Sequence, residues 1–460
     1  MARHPVLASP MRTTKGVVTT WLASLAVALA GCGTGNPSPS HVDGDRPPNV
    51  ILIIADDFGL DASPCYDIGE DKPVMPTLQS MCDQGLVFDT VWVNPMCSPS
   101  RSTFLSGQYG FRTGVLQVGE VLDDTTPTVF DVLKDQVPTP YANAAIGKWH
   151  VSGDDESVPL DAPAGYGVDH FAGFLGGFID SYFNWKIIED GQETQTDTYA
   201  TTELTNKAID WLGQQQDGPW FLYLAYNAPH WYYHLPPAEL APHSTDLSPG
   251  DDAVERNPLP YYLAMAEALD TEMGRMLASL DPATRANTTV IFIGDNGTET
   301  DVVQPPFSEL HAKSSMYEGG IRVPMVVSGW GVARAGERED ALINGVDVPA
   351  TIADLAGATS TTLGDGQSFR DAMSDPSFEG REYIYTDGIR DIGTTGAMPG
   401  WTVREGQYKL IHRDDTGDEE LYDLSVDPWE KTNIIDSTDV PASVVESLHA
   451  IHDELVGSGS

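Results

Sequence analysis

Apolar residues along this chain fall into two textures. Short unbroken runs, rich in β-branched side chains, recur at NVILIIADD (49–57), AAIGKWH (144–150), PWFLYLAYNAPH (219–230), TVIFIGDNG (289–297) and VPMVVSG (323–329). A run that is apolar at every position predicts a strand buried on both faces. Between the runs, apolar positions step at helical spacing. Leu204, Ala208, Trp211 and Leu212 fall at i, i+4, i+7 and i+8. Tyr262, Met265, Leu269, Met273, Met276 and Leu280 keep intervals of three and four. Strands alternating with such helices predict an α/β fold, a large, mostly parallel or mixed sheet flanked by helices on both faces.

The texture changes toward the C-terminus. WTVREGQYKLIHR (401–413), a DDTGDE turn and ELYDL (420–424) read as a short antiparallel hairpin, followed by a helix near 441–455. The expected division is a large domain over 49–374 and a smaller C-terminal α+β subdomain over 375–460. Residues 171–185 (FAGFLGGFIDSYFNW), aromatic and glycine-rich, read as an insertion near a cleft.

The N-terminal segment is read as targeting rather than fold. Arg3, Arg12 and Lys15 precede an apolar stretch, Val17 to Ala30, too short to span a bilayer comfortably. It ends in Leu29-Ala30-Gly31-Cys32, which resembles the lipobox of bacterial lipoproteins. That resemblance implies a signal peptide over 1–31, lipidation of Cys32, and a membrane-anchored lipoprotein at the periplasm or cell surface. Residues 32–48, rich in Gly, Pro and Ser, read as a flexible tether. The alternative is an ordinary secretory signal with an incidental cysteine.

Composition narrows the partners. The 460-residue chain carries 25 Lys+Arg against 68 Asp+Glu, a formal charge of −43. Nucleic acid is excluded as a partner, because its binding needs cations to neutralise phosphates. The same charge opposes long-range attraction of a polyanion. Export would leave Cys65, Cys82 and Cys97 outside the cytosol, an odd number that flags an intermolecular bridge or a special thiol. Cys65 and Cys82 could pair, leaving Cys97 alone.

Four of the predicted strands end in polar, ionisable residues: Asp56-Asp57, Lys148 with His150, Asn227 with His230, and Asp295-Asn296. Sites in open α/β sheets form outside the carboxyl ends of strands, so these four ends could converge on one cleft. In NPMCSPSRSTFLSG (94–107), Pro99 suits the first turn of a helix. Cys97 would then sit where free N–H groups favour an anion, with Arg101 one turn on, and would be a low-pKa nucleophile or else a buried structural thiol.

Cys97-x-Pro99-x-Arg101, followed by Ser102, Phe104-Leu105 and Ser106-Gly107, resembles the signature of type I sulfatases, of the alkaline phosphatase superfamily. NVILIIADD, GKWH, FLYLAYNAPH, GDNG, KSSMYEGGIRVPMVVSGW and YKLI…ELYDLSVDPWEKTNI carry the likeness from about Pro48 to Asn433. The resemblance implies that Cys97 is oxidised to Cα-formylglycine by a formylglycine-generating enzyme. It implies hydrolysis of sulfate esters, on carbohydrate or aryl groups, through the hydrated aldehyde and a sulfoenzyme intermediate. By the same resemblance, Asp56, Asp57, Asp295 and Asn296, with modified Cys97, bind one Ca²⁺ ion through oxygen. Arg101 orients the modified side chain, and Lys148 and Lys313 bind sulfate oxygens. His150 deprotonates the second hydroxyl of the hydrate, His230 with Lys313 protonates the leaving oxygen, and Asp295 accepts the proton of the attacking hydroxyl.

Tyr232, Tyr233, Trp185 and Trp231 could stack on a sugar or aryl group, or pack in the core. Two rival functions stand beside the sulfatase reading. One is a phosphate or phosphonate ester hydrolase of the same superfamily, which tends to Asp-His where this chain has Asp295-Asn296. The other is a non-catalytic surface binding protein, should Cys97 stay unoxidised.

Overall fold

The structure, a computed structural model, describes residues 46–155, 157–215, 218–360, 363–390 and 396–458. The expected signal peptide, Cys32 and most of the tether lie outside the described residues.

In chain order the strands are β1 (Asn49–Ala55), β2 (Leu86–Phe88), β3 (Val91–Trp92), β4 (Ala142–Lys148), β5 (His170–Phe174), β6 (Trp185–Glu189), β7 (Gln192–Thr196) and β8 (Trp220–Tyr226). They continue as β9 (Thr288–Gly294), β10 (Met325–Gly329), β11 (Glu337–Glu339), β12 (Ile343–Asn344), β13 (Tyr383–Asp387), β14 (Gly400–Glu405), β15 (Tyr408–Arg413) and β16 (Glu419–Asp423). A ten-stranded sheet runs in the order β11-β2-β10-β9-β1-β8-β4-β5-β6-β7. Its centre, from β9 through β1, β8 and β4 to β5, is parallel. This is the sheet the apolar runs predict.

Successive side chains of a strand point to opposite faces, and β1 shows why its run must be apolar throughout. Ile51, Ile53 and Ala55 pack on one face with the helices Ala200–Leu212 and Leu259–Ser279. Val50, Leu52 and Ile54 pack on the other with Phe104 and Leu105 of the helix Cys97–Ser106, and with the helix Asp347–Leu355. Each fully buried side chain of this kind contributes roughly 1.5–3 kcal/mol. The two faces together hold the central strands rigid, and with them the residues at their ends.

Strand β10 runs antiparallel to β9, with the short helical turns Glu309–His311 and Glu318–Ile321 between them, so the sheet is mixed, as expected. One detail departs from the sequence reading. The aromatic stretch 171–185 is not simply an insertion. Its first residues belong to β5, paired with β4, and Trp185 opens β6.

Cys65 and Cys82 form a disulfide, with Cα atoms 6.1 Å apart, and Cys97 is a buried free thiol. Strands β13 to β16 form a separate antiparallel sheet in sequence order. Leu448 and Leu455 of the helix Ala442–Gly457 pack on its Trp401, Val403 and Leu410. Among the described residues no helix is long and apolar enough to cross a membrane.

Candidate active site

Parallel register brings four strand ends together. Ala55 at the end of β1 faces Tyr226 of β8 and Gly294 of β9, and Gly147 of β4 faces Ala225. The next residues, Asp56-Asp57, Asn227, Asp295-Asn296 and Lys148, therefore emerge side by side. Gly147 is required here: it has φ 107°, and a Cβ would lie 1.9 Å from the Ala225 carbonyl oxygen. Asp57 and His150 take left-handed backbone, with φ of 62° and 57°. Such conformations cost a residue with a side chain about 1–2 kcal/mol and concentrate at functional sites.

Cys97 is the first residue of a helix in which every side chain is buried. Its Sγ lies 3.3 Å from His150 Nδ1. Burial pushes the thiol pKa up, but the charges of Lys148, His150 and Lys313 outweigh it and bring it to about 6. The surroundings of Cys97 thus favour the thiolate, unlike those of an inert core thiol.

Arg101 donates from Nε and Nη2 to Asp295 Oδ2, at 3.1 and 2.7 Å, and from Nη1 to the Lys148 carbonyl at 2.9 Å. Lys148 Nζ donates to Asp56 Oδ2 at 2.6 Å. Lys313 Nζ lies 2.8 Å from the Asp57 carboxylate and 3.2 Å from Glu299. Asp57 also receives the Asn296 amide at 2.8 Å, and its own N–H donates to Asp295 Oδ1 at 3.0 Å. His230 Nε2 stands 3.8 Å from Asp57, while Nδ1 is bound to the Trp231 carbonyl at 2.7 Å. The structure therefore joins Asp56, Asp57, Arg101, Lys148, His230, Asp295, Asn296 and Lys313 in one contact network, with the Cys97–His150 pair in the field of Lys148 and Lys313.

The donor set fits a hard cation. Asp56, Asp57 and Asp295 are fully buried. Burial pushes the Asp56 carboxyl well up despite the pull of Lys148, with Asp295 and Asp57 adding to the rise. Burial also pushes Asp57 up, but Lys313, His230 and Lys148 hold it below the usual carboxylate range. Asp56 Oδ1 and Asn296 Oδ1 are buried without a hydrogen-bond partner. Asp56, Asp57 and His230 offer ligand atoms within 4.8 Å of one another. Oxygen-rich ligation with spare acceptors suits a divalent ion such as Ca²⁺.

Some neighbours escaped the sequence reading. Asp154 Oδ1 lies 3.4 Å from His150 Nε2, and Glu299 lies beside Lys313. The Tyr182 hydroxyl sits between the carbonyls of Asn227 and His230, at 2.9 and 2.7 Å, and accepts from Asn227 Nδ2. It pins the loop that carries His230. The aromatic run 171–185 was its only signal, since neither partner lies near it in sequence. Of the two alternatives for Trp185 the structure shows the core one: it is buried, and its indole N–H donates to the Thr198 carbonyl. Trp231 and Tyr232 are exposed. His234 and His243 lie apart, held by Tyr199 and Glu267, and His311 stacks on Tyr317.

A family profile described as Sulfatase matches residues 48–358, more than half of the chain. The chain belongs to the sulfatase family. A second profile, N-sulphoglucosamine sulphohydrolase, C-terminal, matches residues 308–456 of this sulfatase. It is 25% identical to the uncharacterized sulfatase YidJ of Escherichia coli, over 89% of this chain and 86% of the relative. It is 28% identical to N-acetylgalactosamine-6-sulfatase of Sus scrofa, over 74% of this chain and 66% of the relative. The crystal structure of Ps i-CgsB in complex with k-i-k-neocarrahexaose shares its fold, with a TM-score of 0.74, 24% identity, and coverage of 90% and 94% of the two chains. The structure of BT4656 in complex with its substrate D-glucosamine-2-N,6-O-disulfate has the same TM-score at 20% identity, covering 90% and 99%. As a sulfatase the protein is a sulfuric ester hydrolase.

Proposed function

We propose that this sulfatase hydrolyses sulfate esters of carbohydrates, and of aryl alcohols in assay, after oxidation of Cys97 to formylglycine, with one Ca²⁺ ion. The observation that carries the reading is the poised Cys97 thiol at a helix start, 3.3 Å from His150 and within the field of Lys148 and Lys313.

When formed, the hydrated aldehyde supplies one hydroxyl to attack sulfur and a second to expel the sulfate, dividing one difficult displacement into two. Asp56, Asp57, Asp295 and Asn296 would hold the ion, which would supply Lewis-acid polarisation and charge neutralisation at the sulfate. This chain's own residues do the rest. Lys148 and Lys313 present ammonium groups to the sulfate oxygens. A sulfate entering the site competes with Asp56 and Asp57 for those groups. Arg101 fixes Asp295 and the carbonyl of Lys148, which holds the cradle in shape. His150 removes a proton at the position of the Cys97 side chain. His230 delivers one to the leaving oxygen, its ring oriented through the Trp231 carbonyl.

Turnover of an aryl sulfate and of the matching aryl phosphate tests the reading. The sulfate is expected to be preferred, and a phosphate preference of tenfold or more overturns the reading.

The proposal extends to location. Lipidation at Cys32 would anchor the exported protein to a membrane, at the periplasm or cell surface. Cys32→Ser is expected to move it from the membrane to the soluble fraction, and retention on the membrane contradicts the anchor.

A further inference from the structure

A cleft of about 700 Å³ adjoins the centre on the side of Lys313. Glu299 lines it and holds the Lys313 ammonium at 3.2 Å. Trp231 lines it too, and its ring stacks on that of His230, with centroids 6.0 Å apart and planes 23° apart. Any group in this cleft is therefore one residue away from both groups that would handle the leaving oxygen. The volume suits a ligand of one or two sugar rings.

The lining states what such a ligand must be. Trp231 and Tyr232 are exposed, at 37% and 49%, and offer aromatic surface to a sugar ring, although the Trp231 ring also stacks on Phe178. Tyr233 also lines the cleft, its ring packed edge-on against Tyr262. Asp251, Glu255, Glu299 and Asp301 add four carboxylates, and no cation lines the cleft. Among the described residues, Asp251, Glu255 and Asp301 form no ion pair. Carboxylates accept hydrogen bonds from hydroxyls or an amine, and they repel a sulfate.

We infer that this cleft takes the alcohol part of the substrate as a sugar whose only sulfate is the one removed, with Trp231 and Tyr232 stacking on it and Asp251, Glu255 and Asp301 rejecting a second sulfate. The inference rests on the sulfate-ester reading above and adds the substrate class. The lining thus gives the overall negative charge a local role.

The test compares kcat/KM for a monosulfated disaccharide and its disulfated counterpart, with p-nitrophenyl sulfate as a small reference. The wild type is expected to favour the monosulfated sugar at least tenfold at low ionic strength, and added salt narrows the gap. The triple variant Asp251→Asn, Glu255→Gln, Asp301→Asn is expected to shift the ratio at least fivefold toward the disulfated sugar. Trp231→Ala is expected to raise KM for both sugars more than for the aryl sulfate. Equal use of the two sugars by the wild type, or an unchanged ratio in the triple variant, overturns the inference while aryl sulfate turnover leaves the function standing. Failure to turn over any of the three sulfates overturns both.

Discussion

Lys313 and Lys409 are built from the same parts and do different work. Each is a buried ammonium bridging two carboxylates. Lys313 lies between Asp57 at 2.8 Å and Glu299 at 3.2 Å. Lys409 lies between Glu430 at 2.6 Å and Glu318 at 3.2 Å. The Trp92 ring covers Lys409 at 4.7 Å, and both of its carboxylates are buried, so the cluster is closed. Lys313 has one open side: Glu299 is a quarter exposed and lines a cleft, and His230 stands 3.8 Å from Asp57. Buried charge by itself marks neither function nor stability. What separates the two clusters is an exit toward solvent and reactive neighbours.

The largest effect is expected at Cys97. Cys97→Ala should lower turnover by roughly a thousandfold or more while the thermal midpoint stays near that of the wild type. A large loss of stability with activity retained per folded molecule would erase the distinction.

Parallel replacements sharpen the comparison. Lys313→Met is expected to cost about a hundredfold or more in kcat/KM, as for other lost charge-stabilising donors. Lys409→Met is expected to destabilise the fold by about 3–5 kcal/mol, because Glu430 is left buried without its cation while Glu318 keeps only Arg322 at 3.8 Å, with kcat per folded molecule unchanged. Chemical unfolding and steady-state kinetics on both variants decide it. Exchanged outcomes would contradict the assignment.

A smaller loss is expected from crowding a histidine. A Cβ on Gly177 would meet the His150 ring at 2.7 Å. Gly177→Ala should lower kcat by roughly ten- to a hundredfold with KM little changed, since the ring must move.

The smallest effect concerns pH. Burial pushes Glu430 up from 4.5 to about 7, against the pull of Lys409. A carboxyl whose folded pKa is raised contributes stability that is fully present below about 4.5 and lost as pH rises through about 7. The midpoint of the wild type relative to Glu430→Gln is therefore expected to be more favourable at pH 5 than at pH 8. The opposite slope would mean that the Lys409 cluster holds both carboxylates ionised.

Much of this was legible in the sequence for a physical reason. Runs such as NVILIIA admit one solution, a strand covered on both faces, and parallel pairing then forces their polar ends together. The illegible parts are those without a period. HFAGF, broken by glycine, gave no strand signal, yet it pairs with β4. Tyr182, Asp154 and Glu299 are single residues in loops, placed beside His230, His150 and Lys313 by tertiary packing alone. Trp185 has the same composition as a binding-platform residue, and only the Thr198 carbonyl beside its N–H reveals a core role.

The central claim is that Cys97 is the precursor of the nucleophile and not the nucleophile itself. Mass spectrometry of the peptide containing Cys97, from active protein, tests it most directly. Conversion to the aldehyde is expected to lower the peptide mass by about 18 Da. Active protein that carries only the unmodified thiol would contradict it.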